Sequence, residues 1–368
     1  MALYKTPPKS PALERRLTEL DDQRRFLARN LGESAQPWTG ALRRLAVAEA
    51  TVGSTSIEGY GASIEDTVEI LAGRPAANAS EETQRVIAAY GQAMDRVTVL
   101  ADDPRFEWAP QTVRELHFLV CFPQREASPG RLREGAMVVT RGAGREPYRA
   151  PVARSVPGLV DELAHWLRSG DVTRHAVVRA AMAHLNLVSI HPFRDGNGRV
   201  ARVVQSLVLA REGLLRPELV SIEPYLSRHT RDYYAVLEAV QGAEFDPSRD
   251  ASAWVEFCIE AHVSEASERR RWVELAYARH DFCEELARSE RYPERFVSAL
   301  DQVLLGLPVT NADYRKESSI ASPTAVQDLQ RLRRDGWLDQ EGGGRSIRYV
   351  ASGKLQERWS RAQEHGGR

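Results

Sequence analysis

The stretch RHAVVRAAMAHLNLVSI, residues 174–190, constrains the fold of this chain more than any other. Its apolar residues recur around the whole helical circumference rather than along one stripe, and such a helix is stable only when other elements surround it. A central helix sheathed by others is therefore predicted. The segment runs directly into HPFRDGNGRVAR, His191–Arg202, which sets a histidine, an acid, an asparagine, two glycines and three arginines side by side. VARVVQSLVLAREGLL then resumes helical periodicity.

The flanks are helical as well. The segments ERRLTELDDQRRFLARNL, ALRRLAVAEATV, EETQRVIAAYGQAMDRVTVL (ended by Asp102-Asp103-Pro104), VPGLVDELAHWL, TRDYYAVLEAVQ and the long AWVEFCIEAHVSEASERRRWVELAYARHDFCEEL all carry the pattern. One stretch interrupts it. The β-branched run AMVV, the turn GAG and the return REPYRAP predict a hairpin. Near the end, RYPERFVSALDQVL, TNADYRKESSI and SPTAVQDLQRLRRDGWL read as three short helices, followed by a second hairpin with a glycine tip, WLDQ-EGGGR-SIRYVAS. Ser322-Pro323 is the expected start of the third helix, an N-cap with proline at the first helical position. The chain is thus expected to be mainly α. Its predicted divisions are a loose tail and helix over 1–35, a helical region over 36–110, a core over 111–260, a connecting helix over 261–290, a winged helix-turn-helix over 291–352 and a tail over 353–368.

Composition narrows the setting. Fifty Lys and Arg against 51 Asp and Glu leave net charge silent about partners. Cys121, Cys258 and Cys283, without any CxxC pair, read as reduced, buried thiols. No apolar run is long enough to span a bilayer, and MALYKTPPKSPALERRL lacks the apolar core of a signal peptide. The expectation is a soluble cytoplasmic protein with no membrane partner.

In the motif, Gly196 and Gly198 open backbone conformations closed to other residues. A loop of this kind running into the helix that Arg199 is expected to begin presents unpaired N–H groups and the positive end of a helix dipole, which is an anion site. Arg199 and Arg202, three apart, share a helix face and suit phosphate oxygens. Asp195 is a hard oxygen ligand of the kind that holds Mg2+ beside phosphates, and His191 can accept a proton near neutral pH. The combination points to phosphoryl or nucleotidyl transfer to a hydroxyl. GNGRVA also fits a dinucleotide fingerprint, but a helix rather than a strand precedes it. DGNG fits the start of a calcium loop, but Ser206 stands where its glutamate belongs. A helix corner whose arginines pair with surface acids is the remaining alternative.

HPFRDGNGRVAR resembles the Fic-family signature HxFx(D/E)GNGRxxR at every specified position: His191, Phe193, Asp195, Gly196, Asn197, Gly198, Arg199 and Arg202. AMAHLNLVSIHPF, VPGLVDELAHWL and RDYYAVLEAV extend the similarity over about residues 40–260. The resemblance implies a helical bundle that moves AMP from ATP to a Ser, Thr or Tyr hydroxyl of a protein, or of itself, releasing pyrophosphate. His191 would be the base and Asp195 would hold Mg2+. Asn197 and the amides about Gly196 and Gly198 would cradle the phosphates, with Arg199 on the α- or β-phosphate and Arg202 on the γ-phosphate. Phe193 would only anchor the loop. Gly198 stands where family members that phosphorylate carry a lysine.

STSIEGYG similarly matches the family's inhibitory motif (S/T)xxxE(G/N) through Ser54, Glu58 and Gly59. Ser54 and Glu58 share one helix face, and Gly59 suits the residue just past a helix end. The resemblance implies that Glu58 pairs with Arg202 in the place of the γ-phosphate, and it allows the reverse reaction, removal of AMP. Met137, Val138, Val139 and Thr140 resemble the flap that aligns a target strand, against the alternative of a hairpin merely capping the bundle. Tyr233 and Tyr234 stand where relatives contact adenosine, and one of the two is expected to do so. Gln241 stands where some relatives carry asparagine. His184, His175 and His117 read as structural, and a homodimer is expected. In the winged helix, Arg331, Arg333, Arg334, Arg345 and Arg348 raise DNA as a partner. A DNA-binding regulator that senses nucleotide is therefore the competing reading, and a Fic enzyme using another nucleotide donor is a third.

Overall fold

The structure, a computed structural model, describes residues 3–31, 36–140, 146–212, 221–344 and 347–366. In chain order its elements are α1 (Pro11–Leu31), α2 (Thr39–Ile57), α3 (Ile64–Leu71), α4 (Glu81–Asp102), α5 (Pro110–Cys121), β1 (Val138–Val139), β2 (Tyr148–Arg149), α6 (Val156–Ser169), α7 (Ala176–Ile190), α8 (Asn197–Arg211), α9 (Glu223–Arg228), α10 (Thr230–Gln241), α11 (Ser252–Ser289), α12 (Phe296–Leu304), α13 (Asn311–Ser318), α14 (Ser322–Arg334), β3 (Leu338–Glu341), β4 (Arg348–Ala351) and α15 (Gly353–Gly366). The chain is mainly helical, as the periodicity predicts. None of the described helices is long and apolar enough to cross a membrane. The turn of the first hairpin, the last residues of the predicted helix VARVVQSLVLAREGLL from Gly213 on and the wing residue Arg345 lie outside the described residues.

Two compact units form, one from residues 1–26 and 46–268, the other from 27–45 and 269–368. The dividing points fall inside α1, α2 and α11, and none coincides with a boundary predicted from the sequence.

In the first unit α7 is the buried axis. Every residue from Val177 to Ile190 except Val188 is buried. α6 and α8 pack on α7, and α4 and α5 pack on α8. Trp254 of α11 donates its Nε1–H to the Ala181 carbonyl at 2.7 Å, so its large ring enters the core without an orphaned donor. The start of the chain is not the loose tail expected. Leu3 and Tyr4 are each 3% exposed, and the Tyr4 amide donates to Asn186 Oδ1 of α7 at 2.8 Å. A non-periodic stretch gives no sequence sign of such docking.

β1 and β2 pair antiparallel, with Val138 opposite Arg149 and Val139 opposite Tyr148. The other edge of β2 is taken as well: Arg149 donates its amide to Ala243 O at 2.9 Å and accepts from the Phe245 amide at 3.2 Å. Among the described residues no strand pairs with the outer edge of β1, whose Val138 is 52% exposed.

The second unit buries Phe296, Leu300, Leu329, Leu332, Trp337, Leu338, Tyr349 and Leu355 around a core shared by α12, α13, α14, the antiparallel β3–β4 pair and α15. Residues 353–366, expected as a tail, form a helix because Leu355 is wholly buried there. The start of α14 shifts by one position. Ala321 is its N-cap, Ser322 is already helical, and the Ser322 hydroxyl turns away to Asn311 Oδ1 at 3.1 Å.

Candidate active site

His191 ends α7 in a left-handed conformation, φ 49°, and its amide closes the last turn on Leu187 O at 3.0 Å. The reversal carries the chain away from the helix and sets the imidazole in the wall of a cavity. Nδ1 lies 3.2 Å from Val188 O, which assigns the ring proton to Nδ1 and leaves the Nε2 lone pair available. Burial pushes the imidazole below its ordinary pKa, only partly offset by the Val188 bond, so the ring is neutral at neutral pH. Geometry and charge state both suit a base.

The loop after His191 is clamped from inside. Asn197 accepts from the Phe193 amide and donates to the Phe193 carbonyl, both at 3.0 Å. Its amide side chain therefore shapes the loop. Its backbone N–H, in the first turn of α8, remains the group directed to an anion. Phe193 is fully buried and stacks on His117 at 3.7 Å between ring centroids. His117 Nε2 lies 2.9 Å from Asp195 O and its Nδ1 accepts from the Gly130 amide at 2.9 Å. Read as merely structural, His117 thus holds the carbonyl of the Asp195 peptide in place. Burial lowers its pKa to about 4, so it does this as a neutral ring.

The two glycines differ. Gly196 is left-handed, φ 73°, and a Cβ there would lie 2.3 Å from Cys121 Sγ. Gly198 is helical, because α8 begins at Asn197 rather than at Arg199. Its surroundings are crowded instead: a Cβ would lie 2.5 Å from Glu58 Oε1 and 3.2 Å from Arg202 Nη1, so those side-chain ends would have to shift. The amides of Asn197, Gly198 and Arg199, in the first turn of α8, have no intrahelical acceptor, the kind of helix end that suits an anion.

Arg199, only 1% exposed, points inward, donating to Val120 O at 3.2 Å with Nη2 3.8 Å from Asp195 Oδ2. It is not in the cavity wall where a phosphate-binding role would place it. Arg202 is equally buried. Its Nε donates to Ser54 Oγ at 2.7 Å, and its Nη2 to Ser54 O at 3.0 Å and to Glu58 Oε1 at 2.8 Å. Burial depresses the guanidinium, but Glu58, together with Tyr233 and Tyr90 beside it, more than offsets that and the pKa is raised. Ser54, Glu58 and Arg202 therefore meet. Gly59, φ 89°, closes the end of α2 with Tyr60 N bonding back to Thr55 O at 3.0 Å, a Schellman-type stop.

A cavity of about 610 Å³ opens beside these groups, within the range of small-molecule sites. Glu58, Val139, Thr140, His191, Asp195, Gly196, Asn197, Gly198, Tyr233, Tyr234 and Gln241 all line it, and so do Arg194 and Arg231. Arg202 does not; Glu58 stands in front of it. Val138 lies on the exposed face of β1, and neither it nor Met137 lines the wall. Tyr233 is 1% exposed, with its hydroxyl 3.1 Å from His184 Nε2, whereas Tyr234 is 46% exposed. Tyr234 is thus the freer ring. His184 is fully buried between Tyr233 and Gln205 Oε1 (2.8 Å), with a pKa of about 3, a core histidine as expected. Gln241 is held by Ser189 Oγ at 3.0 Å. Sequence reasoning missed Arg194 and Arg231. The i, i+3, i+7 spacing of Arg231, Tyr234 and Glu238 on α10 was the signal for the second.

The Asp195 carboxylate is 59% exposed at the cavity, with Oδ1 accepting the Gly196 amide at 2.7 Å. No cluster of three or more His, Cys, Asp or Glu side chains able to hold a metal occurs among the described residues. One carboxylate fits Mg2+ only in the manner of an ion that takes its other ligands from phosphates and water.

Residues 107–209 match the family model described as the Fic/DOC family. The chain is 35% identical over 96 residues to a probable protein adenylyltransferase of Aquifex aeolicus, covering 26% of this chain and 28% of that protein. It is 28% identical over 260 residues to the protein adenylyltransferase Fic of Aedes aegypti, covering 67% and 50%. The chain thus spans half or less of the length of these relatives. Among solved structures, a Fic family protein from Desulfovibrio desulfuricans superposes with a TM-score of 0.61 at 21% identity, covering 95% of this chain and 99% of that one, which establishes a shared fold.

Proposed function

From the premise that this chain carries a Fic domain over residues 107–209, we propose that it is an autoinhibited protein adenylyltransferase, moving AMP from ATP to a Ser, Thr or Tyr hydroxyl of a target protein or of itself. One observation carries this reading: a neutral His191 and the open end of α8 face one cavity, while Glu58 covers Arg202.

Nε2 of His191 takes the hydroxyl proton as the hydroxyl oxygen attacks the α-phosphorus. The new O–P bond forms as the bond to the β-phosphate oxygen breaks, and that oxygen leaves with the electron pair as pyrophosphate. The amides of Asn197, Gly198 and Arg199 receive phosphate oxygens as charge builds on them. Mg2+, held by Asp195, would supply charge neutralisation between adjacent phosphates. Tyr234 offers its face to the base. The free edge of β1 offers backbone groups to an extended target segment, the strand-addition mode. Glu58 occupies the approach to Arg202 that a γ-phosphate needs, so nucleotide binds without its outer phosphate seated, and its α-phosphorus is out of line for attack. With Glu58 in place the same groups could remove AMP by running the cavity with water as nucleophile.

The regulator reading has less support. We read α12–α14 with β3–β4 as a winged helix, but three of its arginines are engaged locally. Arg331 lies 4.8 Å over Tyr292, Arg333 bonds Gln340 at 2.7 Å, and Arg348 pairs with Glu341 at 2.8 Å. Incubation with α-labelled ATP decides. Label on protein, raised by Glu58→Gly and abolished by His191→Ala, is expected; absence of label in every variant, together with salt-dependent DNA binding, would establish the regulator instead.

A further inference from the structure

One buried cation near the site has no part in the chemistry above. Arg133 is 7% exposed, and its described partners are all backbone carbonyls. Nε donates to His191 O at 2.8 Å and Nη1 to Gly135 O at 2.8 Å, while Nη2 reaches Pro151 O and, at 3.5 Å, Ile190 O. Its own amide donates to Pro192 O at 2.9 Å. Three of these acceptors, Ile190, His191 and Pro192, are the turn that ends α7. The other two, Gly135 and Pro151, are the roots of the hairpin, just before β1 and just after β2.

The turn needs such a hold. A left-handed non-glycine residue costs about 1–3 kcal/mol and persists only where its surroundings over-determine it. Here that residue is His191 itself, and it precedes a proline, which restricts it further. The hairpin needs one too, because two residues per strand make a ladder too short to be rigid alone. A planar guanidinium offers several donors in fixed directions, so it can grip both segments and fix the distance between them.

We propose that Arg133 is a positioning residue: its guanidinium, bonded to the carbonyls of His191, Gly135 and Pro151, sets the imidazole at a fixed place relative to the hairpin that presents the target hydroxyl. The inference rests on the adenylyl-transfer reading for its effect on rate, but not for its effect on the imidazole. Arg133 does not itself line the cavity, and it meets the wall only through the His191 carbonyl. Its loss should therefore change turnover and leave nucleotide affinity alone. The charged groups acting on His191 are Arg133, Glu58 and Asp195, the first lowering and the other two raising its pKa. Removing Arg133 should therefore move the imidazole upward.

The test uses the full chain carrying Glu58→Gly, with Arg133→Gln, Arg133→Lys and, as control, Arg114→Ala, whose guanidinium bonds Gly130 O of the same loop but not the turn. Turnover with α-labelled ATP should fall about 10²-fold for Arg133→Gln, the usual cost of a misplaced catalytic group, with ATP affinity unchanged. Lysine should restore part of it. In parallel, NMR titration of the His191 Cε1–H should show a raised pKa for Arg133→Gln and a native one for Arg133→Lys and Arg114→Ala. Native turnover and a native His191 titration in Arg133→Gln would overturn the proposal. So would equal losses of turnover, ATP affinity and thermal stability in both Arg133 variants, which would make the residue a general brace. Should Glu58→Gly itself transfer no label, the adenylyl-transfer reading falls, and the imidazole titration still judges Arg133.

Discussion

Each unit contains a buried arginine paired with a carboxylate, and the two pairs are built differently. In the second unit, Arg279 meets Asp301 with two contacts, Nε to Oδ1 at 2.9 Å and Nη2 to Oδ2 at 3.3 Å, and the side chains are 5% and 4% exposed. In the first unit, Arg202 meets Glu58 through one bond at 2.8 Å, with the arginine 1% and the glutamate 24% exposed. Arg202 is also held by Ser54, so it keeps its place without the carboxylate. Glu58 sits one residue past the end of α2 and faces a cavity. A two-contact pair with both ends enclosed is a brace, because removing either end strands a charge. A one-contact pair whose acid reaches a cavity is a plug, because another anion can take the acid's place.

The largest effect should separate the two. Asp301→Ala should cost about 3–5 kcal/mol in denaturant unfolding by leaving Arg279 buried and alone, and Glu58→Gly about 1 kcal/mol or less, as for a partly solvated pair. Equal costs would erase the distinction. The next effect is on label transfer. Glu58→Gly should raise it about 5–150-fold, the span of an ordinary coupling free energy, whereas Asp301→Ala leaves the rate per folded molecule as it was. Arg202→Ala should not mimic Glu58→Gly, because it removes the phosphate's partner along with the plug; a hyperactive Arg202→Ala would contradict the ion-pair account. A smaller gain, severalfold in basal transfer, is expected from Gly198→Ala, whose Cβ would press on Glu58 Oε1. The gain should vanish in a Glu58→Gly background, as non-additivity between touching residues requires.

The last and smallest effect sharpens the comparison by pH. His117 and His184 have folded pKa values of about 4 and 3, below the usual 6.5. Between those values and 6.5 the unfolded chain binds the extra protons, so stability rises with pH and is lost on acidification through this window. Unfolding of the first unit, followed from pH 7 to 4, should show a slope approaching two protons, and His117→Gln with His184→Gln should flatten it. A flat profile in the native chain would mean that these rings are not buried neutral.

Much of the site was legible because it is written in local spacing. The apolar circumference of 174–190 required a buried axis, and α7 is one. HPFRDGNGRVAR fixed which groups emerge at the start of α8, and the four-residue interval from Ser54 to Glu58 put both on one face. Gly59 marked the helix end. Spacing could not say how side chains spend their hydrogen bonds. Asn197 turned to Phe193 and Arg199 turned inward, and Gly198 proved to be crowded by Glu58 and Arg202 rather than set by a special backbone angle.

The sequence alone determined most of the longer helices, the loop chemistry between α7 and α8 and the shared face of Ser54 and Glu58, since each depends on residues within a turn or two of one another. Only the tertiary structure decided that Arg202 would find Ser54 across 148 positions, His117 the Asp195 carbonyl across 78, and Arg133 the His191 carbonyl across 58. Those contacts depend on how the helices pack, and a backbone carbonyl as acceptor leaves no trace in side-chain identity.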